Sequence, residues 1–302
     1  MIRRLKYHEI DFNKYSSCLE NSFQRKYSAT RLFLDITSDK KWELLVYKDY
    51  EAVMPVPYVF KLGKKIVHNP MLCQQLGIFS KTDDVEINEA FLHFLEQNYL
   101  IRIYTFNEHN QFKTSLKTKK NFLIAPDDYE RVYSRYSPKR KRKLRLDEDV
   151  VNHSEIKKIS FAEAEGFIRQ NFLGASKEED IDSFLNIFKK MADENCIEIT
   201  AFFLHGKIIN TIITYIDDCT AALLGTFNDK EYVKISGASV LIDHAIKENI
   251  GNRIFDFEGG EIPNVEEFFR GFRPELHPYR LIEYSKKELI RKMIRLKFII
   301  KS

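Results

Sequence analysis

The stretch Arg253–Phe272 reads RIFDFEGGEIPNVEEFFRGF and restricts the fold more than any other segment. It begins as a short apolar strand that carries two acids, Asp256 and Glu258, and it breaks at Gly259-Gly260. A helix with phenylalanines near one side follows. Because a glycine pair marks a turn, the pattern predicts a strand that ends in a carboxylate.

The predicted helix upstream of this stretch begins with small residues. Ser236, Gly237, Ala238 and Ser239 open a helix expected over 237–249. N–H groups at a helix start, together with the helix dipole, favour an anion. These four residues are therefore candidate contacts for a ligand that carries a pyrophosphate or an acyl group. The alternative is that they only cap and start the helix.

The composition indicates a folded protein with two domains. The chain has 302 residues, 44% of them apolar, and a domain averages about 150 residues. No apolar run reaches the roughly 18 residues of a membrane span, and the N-terminus has no apolar signal core, so we expect a cytoplasmic protein. The four cysteines are scattered without a CxxC pair, which favours reduced thiols. The net charge of +4 does not by itself require a nucleic-acid partner.

The order of predicted elements repeats along the chain: a three-strand meander, a helix, a strand, a helix and a strand. Two copies of a mixed, mostly antiparallel sheet flanked by helices predict an α+β fold built by duplication. In the C-terminal half we expect helices over 161–172, 180–195, 237–249 and 264–271 and strands over 198–204, 207–216, 221–227, 253–258 and 279–284. In the N-terminal half we expect strands over 42–47, 52–58, 74–79, 101–106 and 121–124 and helices over 85–97 and 109–116.

This pattern predicts four segments. Residues 1–128 form the first repeat and residues 156–285 the second, which holds the ligand site. Between them, residues 129–155 form a connector whose core, YERVYSRYSPKRKRKLR, is rich in lysine, arginine and tyrosine and is interpreted as a charged linker rather than a core element. Residues 286–302 form a basic amphipathic helix, which rests on anionic lipid or packs on the protein's own surface.

Several motifs resemble those of one family. FDFEGG (255–260) followed by FFRGF (268–272) resembles the late strand–helix signature of FemABX-type acyltransferases, which have a tandem GNAT architecture. SGASVLIDHAI (236–246) resembles their helix that opens with Gly-Ala, and SPKRKRKLR (137–145) resembles the basic segment between their repeats. In the first half, MPVPY and NPMLCQQLGIFS are similar to the N-terminal repeat of such proteins.

The resemblance implies transfer of an acyl or aminoacyl group to an amine. In GNAT folds two neighbouring strands splay apart and the donor lies in the gap. Here the strands would be 221–227 and 253–258, and Phe227 at the end of the first would contact the donor. The donor phosphates would meet the backbone at Ser236, Gly237, Ala238 and Ser239. Lys234 would add a charged contact.

The sequence departs from the family pattern at three places. The phosphate loop has one glycine, in Lys234-Ile-Ser-Gly-Ala, where acetyl-CoA-binding GNAT proteins usually have more. Phe268 and Phe269 stand where many acetyltransferases carry a tyrosine acid. Arg273 stands where FemABX proteins commonly have glycine after the last aromatic residue. These differences weaken the expectation of simple acetyl-CoA chemistry.

Three residues are candidates for the chemistry. Amine attack on an acyl group needs a proton acceptor, and Glu258 at the end of its strand is the candidate base; the alternative is a solvated or capping acid. Asp256 shares its face and either contacts substrate or has a structural hydrogen-bonding role. Tyr279 either protonates the leaving group or packs in the core. The spacing of His, Cys, Asp and Glu predicts no metal site.

The basic connector has two interpretations: it binds a ligand, or it is only a solvated surface. Five consecutive cations, Lys139 to Lys143, usually form a solvated face, but they also suit the phosphates of a nucleotide-sugar, an RNA acceptor stem or an anionic acceptor. Arg135, Arg140 and Arg142 are the candidate phosphate contacts. A peripheral membrane contact through residues 286–301 is a further candidate.

Taken together, the residues and the resemblance predict an N-acyltransferase that moves an acyl group from acetyl-CoA or another acyl-CoA to an acceptor amine, without a metal. One alternative is an aminoacyltransferase that takes its donor from charged tRNA and modifies a cell-wall precursor. A second alternative is a non-catalytic protein on the same fold that binds RNA or a membrane surface.

Overall fold

A computed structural model describes residues 1–61, 63–175 and 177–299 of the chain. The chain divides into two compact units. The first comprises Met1–Lys119 and resumes at Pro278, and the second comprises Lys120–His277.

Helices and strands are numbered along the chain. The helices are α1 (Phe12–Glu20), α2 (Arg31–Ser38), α3 (Val85–Asn98), α4 (Tyr129–Arg135), α5 (Pro138–Lys143), α6 (Glu148–His153), α7 (Phe161–Gln170), α8 (Glu178–Asp193), α9 (Gly237–Asn249), α10 (Pro263–Arg270) and α11 (Lys286–Ile299). The strands of the first unit are β1 (Ile2–Leu5), β2 (Trp42–Tyr47), β3 (Ala52–Lys61), β4 (Lys64–Val67), β5 (Phe79–Ser80), β6 (Leu100–Ile101), β7 (Ile103–Thr105), β8 (Lys117–Lys119) and β16 (Tyr279–Glu283). Those of the second unit are β9 (Phe122–Ile124), β10 (Ser154–Lys158), β11 (Ile197–Leu204), β12 (Lys207–Ile216), β13 (Thr220–Asn228), β14 (Ile254–Asp256) and β15 (Glu275–Leu276).

The two units share one strand order, which confirms the predicted duplication and the mixed sheets. In the first unit the order is β1-β2-β3-β4-β6, antiparallel except for the parallel pair β4–β6. In the second unit the order is β10-β11-β12-β13-β14, antiparallel except for the parallel pair β13–β14. A helix precedes the parallel strand in both units: α3 in the first and α9 in the second.

One strand from each half of the sequence belongs to the other half's unit. Strand β9, from the N-terminal half, lies between β14 and β15 in the second unit. Strand β16, near the C-terminus, lies between β7 and β8 in the first unit. The unit boundaries therefore fall at Lys120 and Pro278, whereas the sequence places them at residues 128 and 285. Local pattern does not specify a partner for such short strands, which is why the exchange was not predicted.

Two N-terminal predictions are wrong. The strand that pairs with the end of β3 is β4, and of the predicted strand over 74–79 only Phe79 is in a strand, the two-residue β5. Residues 109–116 form turns instead of a helix. Here a fully buried side chain, Asn110, accepts from the Ile78 backbone N at 2.9 Å and donates to the Ile78 backbone O at 2.9 Å. Asn107 Oδ1 accepts from the His109 backbone N at 2.9 Å, and such a local side-chain hydrogen bond competes with helix formation.

The basic connector is part of the core of the second unit, contrary to the prediction of a charged linker. It forms α4 and α5, and Val132, Tyr136 and Arg140 are 1%, 3% and 6% exposed. Val132 lies on α4 and Tyr136 caps its end, whereas Arg140 lies on the separate helix α5, which begins at Pro138. The basic composition obscures this burial, because long cationic side chains occupy the positions in between.

The C-terminal helix is confirmed as an element from Lys286 to Ile299. The predicted segment ends at Ser302, and its last three residues lie outside the described residues. The proposed lipid contact of residues 286–301 depends mainly on side chains that are not described, so it stays a prediction. No helix in the described ranges is long and apolar enough to cross a membrane.

Candidate functional site

The parallel strands β13 and β14 pair only at one end. Their register runs from Thr220 opposite Ile254 to Ala222 opposite Asp256. Beyond that point β13 continues to Asn228, while β14 has ended. Among the described residues no strand pairs with this side of the last six residues of β13. The family resemblance implied an opening between these two strands.

The turn after β14 is held by a buried carboxylate. Asp256 is 1% exposed, and its Oδ1 accepts hydrogen bonds from Asn121 Nδ2 and from the Glu258 backbone N, both at 2.9 Å. Asn121 Oδ1 accepts in turn from the Gly259 backbone N at 3.2 Å. Glu258 is half-buried and has a φ of 49°, a left-handed conformation that is uncommon outside glycine. Asp256 thus fixes the backbone that carries Glu258.

Helix α9 starts without a side-chain cap. Its N-cap residue, Ser236, has a φ of 64°, and its hydroxyl does not bond the first turn. Gly237 is buried against strand β12: a Cβ at this position would lie 1.9 Å from Asn210 Oδ1 and 3.4 Å from Phe202 Cδ1. The glycine is therefore required for close packing of the helix start on the sheet. The Ser239 backbone N donates to the Ser236 backbone O at 2.8 Å, so the N–H groups of Gly237 and Ala238 are the ones in the first turn that can meet another partner.

A cavity of about 640 Å³ lies at this helix start, wholly within the second unit. Its walls come from α5, from the first turn of α9, from α10 with the turn after it, and from the ends of β12 and β13. The lining residues are Ser137, Lys139, Arg140, Lys143, Asn210, Asn228, Val233, Ser236, Gly237, Ala238, Ser239, Asn264, Glu267, Phe268, Arg270, Gly271 and Arg273.

The charges around the cavity are strongly unbalanced. Among the described residues that line it, five are cationic and only one, Glu267, is anionic. Glu267 Oε1 pairs with Lys139 Nζ at 2.9 Å, and Arg270 pairs with Glu266 at 2.7 Å. The positive end of the α9 dipole adds to the same field. A cavity with this field attracts an anion.

Arg140 is a buried cation in the cavity wall. It donates to Ser239 Oγ and, at 2.6 Å, to the Phe268 backbone O. The guanidinium carbon lies 4.2 Å from the ring centroids of both Phe268 and Phe272. Gly271 makes room for it, since a Cβ there would lie 2.9 Å from Arg140 Nε. Arg140 therefore ties α5 to α9 and α10.

The charge of Arg140 is only partly compensated. Its Nε is buried and has no hydrogen-bond partner among the described residues. Burial lowers the pKa of Arg140 to about 10, which means that the charged form is disfavoured relative to water. An anion in the cavity would offset this desolvation cost through its field, and it would raise the pKa of Arg140 again.

Arg273 occupies a glycine-like backbone conformation. Its φ is 58°, and it stands where the family resemblance leads one to expect glycine. A left-handed conformation costs a non-glycine residue roughly 1–2 kcal/mol. The exposed side chain of Arg273 lines the cavity, so this residue adds a cation where the field is already positive.

The structure brings some of the predicted site residues together and separates others. Five line the cavity: Arg140, Ser236, Gly237, Ala238 and Ser239. The others do not line it: Phe227, Lys234, Arg135, Arg142, Asp256, Glu258 and Tyr279. Asp256 and Glu258 belong to the turn after β14.

Phe227 is 5% exposed and packs on Phe172 and Phe188, with ring centroids 5.5 and 6.3 Å away, respectively. Lys234 is exposed on the short 3₁₀ helix Lys230–Ile235 that precedes α9. Arg135 pairs with Asp127 at 2.8 Å. Each side chain thus has a place in the second unit outside the cavity wall.

Tyr279 and Arg142 contrast in exposure. Tyr279 is 3% exposed on β16, in the small sheet of the first unit. Its role as the acid that protonates the leaving group stays a prediction. Arg142 is exposed on α5, two residues after the buried Arg140.

Sequence reasoning missed several residues of the cavity. Lys139 and Lys143 lie in the basic run but were not singled out, and Arg270 and Arg273 flank the last glycine of FFRGFR. Arg270 and Arg273 are three residues apart near the end of the predicted helix, and this spacing could have indicated that they share one side. Asn210 is 3% exposed, its Oδ1 has no partner among the described residues, and nothing in its surrounding sequence marks it.

Comparison with solved structures defines the fold: the chain has the tandem GNAT fold of the FemABX-like type. The crystal structure of FemX is similar with a TM-score of 0.65 and 8% identity, over 92% of this chain and 96% of that one. A tandem GNAT protein from the clavulanic acid biosynthesis pathway has a TM-score of 0.52 and 8% identity, over 93% and 97% of the two chains. L-PGS from Bacillus licheniformis has a TM-score of 0.52 and 12% identity, over 93% and 94%.

No protein-family model matches the sequence, and no curated protein does. At identities of 8–12% the structural likeness establishes the fold alone. Function must therefore be argued from the site.

Proposed function

We propose that this chain is an acyltransferase whose second unit binds a phosphate-bearing acyl donor and transfers the acyl group to an amine. The observation that carries the proposal is the cationic cavity at the uncapped start of α9, within the unit where β13 and β14 diverge. The fold is compatible with this function, because the resemblance to FemABX-type proteins implies acyl or aminoacyl transfer. The primary donor proposed is an acyl-CoA.

The proposed division of roles follows from the geometry. The donor phosphates bind the N–H groups of Gly237 and Ala238 at the start of α9, with charge from Lys143 and Arg273. The acyl arm lies beside the end of β13, where backbone groups face no strand among the described residues. These groups are candidates to stabilise the oxyanion that develops on the acyl carbonyl. Donors of this kind are cytoplasmic, so the proposal places the protein in that compartment.

The reaction requires one proton acceptor. The amine nitrogen attacks the acyl carbonyl carbon, a C–N bond forms, and the C–S bond of the thioester breaks. Glu258 accepts the amine proton, and the leaving thiolate takes a proton from solvent. Asp256 holds the backbone of Glu258 in place through its hydrogen bond at 2.9 Å. Asp256 is thereby proposed as a positioning residue rather than a substrate contact.

Thermal unfolding with acetyl-CoA, longer acyl-CoAs and free CoA tests the donor. A ligand that binds only the folded state stabilises it by about 2.7 kcal/mol at a concentration of 100 Kd. We expect a rise in Tm with each CoA species, because the phosphates supply most of the attraction. No rise with any of them would contradict an acyl-CoA donor.

A second candidate is an aminoacyltransferase that uses charged tRNA and modifies a cell-wall precursor. It is favoured by cations that continue beyond the cavity: Arg131, Arg142 and Arg145 are exposed on α4, on α5 and just after α5. Salt-sensitive tRNA binding that is lost in Arg142→Ala, without a response to CoA, would support this candidate. Binding of RNA without turnover would instead indicate the non-catalytic alternative.

Replacing Arg273 with glycine is expected to weaken donor binding by at least about tenfold without loss of stability, since a charge-assisted contact is worth roughly 1.5–3 kcal/mol. Glycine relieves the left-handed strain but loses more entropy on folding, and these effects nearly cancel to within about 1 kcal/mol. Calorimetric titration and urea unfolding measure the two quantities separately. Unchanged affinity in Arg273→Gly would remove this side chain from the donor site.

Replacing Glu258 with glutamine is expected to lower turnover at least about tenfold, because the amide cannot accept the amine proton. Donor affinity should stay unchanged, since Glu258 does not line the cavity. Glu261→Gln is the matched control: it removes an exposed carboxylate from the same turn, and its amide oxygen can still accept from the Lys120 backbone N. Equal rates in wild type and Glu258→Gln would exclude Glu258 as the base.

A further inference from the structure

Two histidines and an aspartate meet on the surface of the second unit, away from the residues that line the cavity. Helix α6 ends at His153, and the turn between β11 and β12 carries His205. Strands β10 and β11 pair with Ser154 opposite Leu204, so His153 and His205 extend this register by one position. The His205 backbone N donates to the His153 backbone O at 2.9 Å, which holds the two residues side by side.

The side chains of this cluster are already close. The imidazole rings of His153 and His205 have centroids 4.7 Å apart and an interplanar angle of 34°. Asp149 lies one helical turn before His153, and one ligand atom from each of the three residues lies within 4.8 Å of the others. In a tetrahedral zinc site with ligands at about 2.0–2.1 Å, the ligand atoms are roughly 3.4 Å apart. The three side chains are exposed, so small rotations can close this difference.

The orientation of His153 also suits a metal. Its Nδ1 lies 2.8 Å from the Asp149 backbone O and 3.2 Å from Asp149 Oδ1, so a proton on Nδ1 would be donated to Asp149. The exposed Asp149 carboxylate rotates away from Nδ1 when it shares an ion with Nε2. This tautomer leaves Nε2 as a ligand atom. Histidines that bind metals commonly donate their other ring N–H to a carbonyl or carboxylate, which fixes the tautomer and the ring.

We propose that Asp149, His153 and His205 form a binding site for a divalent transition metal of the zinc type, with water completing the coordination. Two imidazoles and one carboxylate are a ligand set that zinc accepts, and nitrogen ligands favour late transition metals over magnesium or calcium. The sequence did not predict it, because His205 is 52 residues from His153 and only the strand register brings them together. A bound ion would connect α6 to the β11–β12 turn. The proposal does not depend on acyl transfer.

Calorimetric titration of the full chain with Zn²⁺, after removal of any affinity tag and treatment with a chelator, tests the site. We expect one ion per chain, and Co²⁺ should give the visible absorption bands of a site with nitrogen ligands. His205→Asn should weaken affinity at least about tenfold, as should His153→Ala, because loss of a ligand exceeds the 10–100-fold effect of an outer residue. Asparagine is chosen because His205 has a φ of 49°, which asparagine tolerates.

His244→Asn is the matched control. His244 pairs with Glu248 across one helical turn at 3.4 Å, as His153 does with Asp149, but no second histidine joins this pair in the described part of the chain. Its affinity for Zn²⁺ should equal that of wild type. Absence of saturable binding, unchanged affinity in both His153→Ala and His205→Asn, or an equal loss in His244→Asn would each overturn the proposal. Asp149→Asn, at an exposed position, repeats the test if a histidine variant fails to fold.

Discussion

Replacing Arg140 with leucine is expected to lower the free energy of unfolding by about 2–4 kcal/mol and to weaken donor binding more than tenfold. A hydrogen bond to a charged group contributes roughly 1.5–3 kcal/mol, and a guanidinium over an aromatic ring adds about 0.5–2 kcal/mol. Arg140 makes two such hydrogen bonds and contacts two rings. Burial of its charge offsets part of this sum, as its lowered pKa indicates.

Donor binding should weaken because Arg140 holds three walls of the cavity together. Arg142→Leu is the matched control: it lies on the same short helix but is exposed, so its effect on stability should stay within about 0.5 kcal/mol. Arg140→Lys keeps the charge but cannot reach both acceptors in one plane, and it should fall between the two. Urea unfolding provides the stabilities. Equal stability of Arg140→Leu and Arg142→Leu would show that the buried contacts are not what holds α5 in place.

Replacing Gly237 with alanine is expected to destabilise the protein by about 1–3 kcal/mol, because the added Cβ overpacks the start of α9. That Cβ would lie 1.9 Å from Asn210 Oδ1, so either the helix or the amide must move. At an open helical position the same substitution has the opposite sign, since alanine favours the helix by roughly 0.5–1 kcal/mol over glycine. The sign of the change therefore separates close packing from helix propensity.

Gly166→Ala supplies the open reference position. Gly166 lies inside α7, and a Cβ there would meet no atom within 4 Å. Thermal unfolding of both variants should show a lower Tm for Gly237→Ala and a higher one for Gly166→Ala. Adding Asn210→Ala to Gly237→Ala should recover part of the loss. A stabilising effect of Gly237→Ala alone would mean that the helix start does not pack tightly on β12.

The bounds of helices and strands that are marked by residues at their own ends were predicted well from the sequence. Helix α9 has the predicted bounds because a small-residue start and a following glycine mark both ends. Strand β12 also has its predicted bounds, because tight turns at both ends delimit an apolar run. The sequence predicts an anionic ligand at Ser236–Ser239, and the cations around these residues agree with that prediction. Such a prediction is possible because the N–H groups of a helix start favour an anion whatever the rest of the fold is.

Features that depend on distant pairing were not predicted. The exchange of β9 and β16 between units joins segments more than a hundred residues apart, and neither strand carries a signal for its partner. The cavity draws its cations from α5 and from the region around α10, so no single motif contains it. Arg140 was predicted as a phosphate contact, whereas its N–H groups bond Ser239 and the Phe268 carbonyl. Its burial depends on contacts with Ser239, Phe268 and Phe272, which lie about a hundred residues or more further along the chain.

The most direct test of the proposed donor site is a crystal structure of the protein with a bound non-hydrolysable acyl-CoA. We expect phosphate oxygens within about 2.7–3.2 Å of the backbone N of Gly237 or Ala238, with Lys143 or Arg273 in contact and the acyl group beside the end of β13. A donor bound elsewhere, or a cavity without donor at saturating concentration, would contradict the assignment of this cavity as the acyl-donor site.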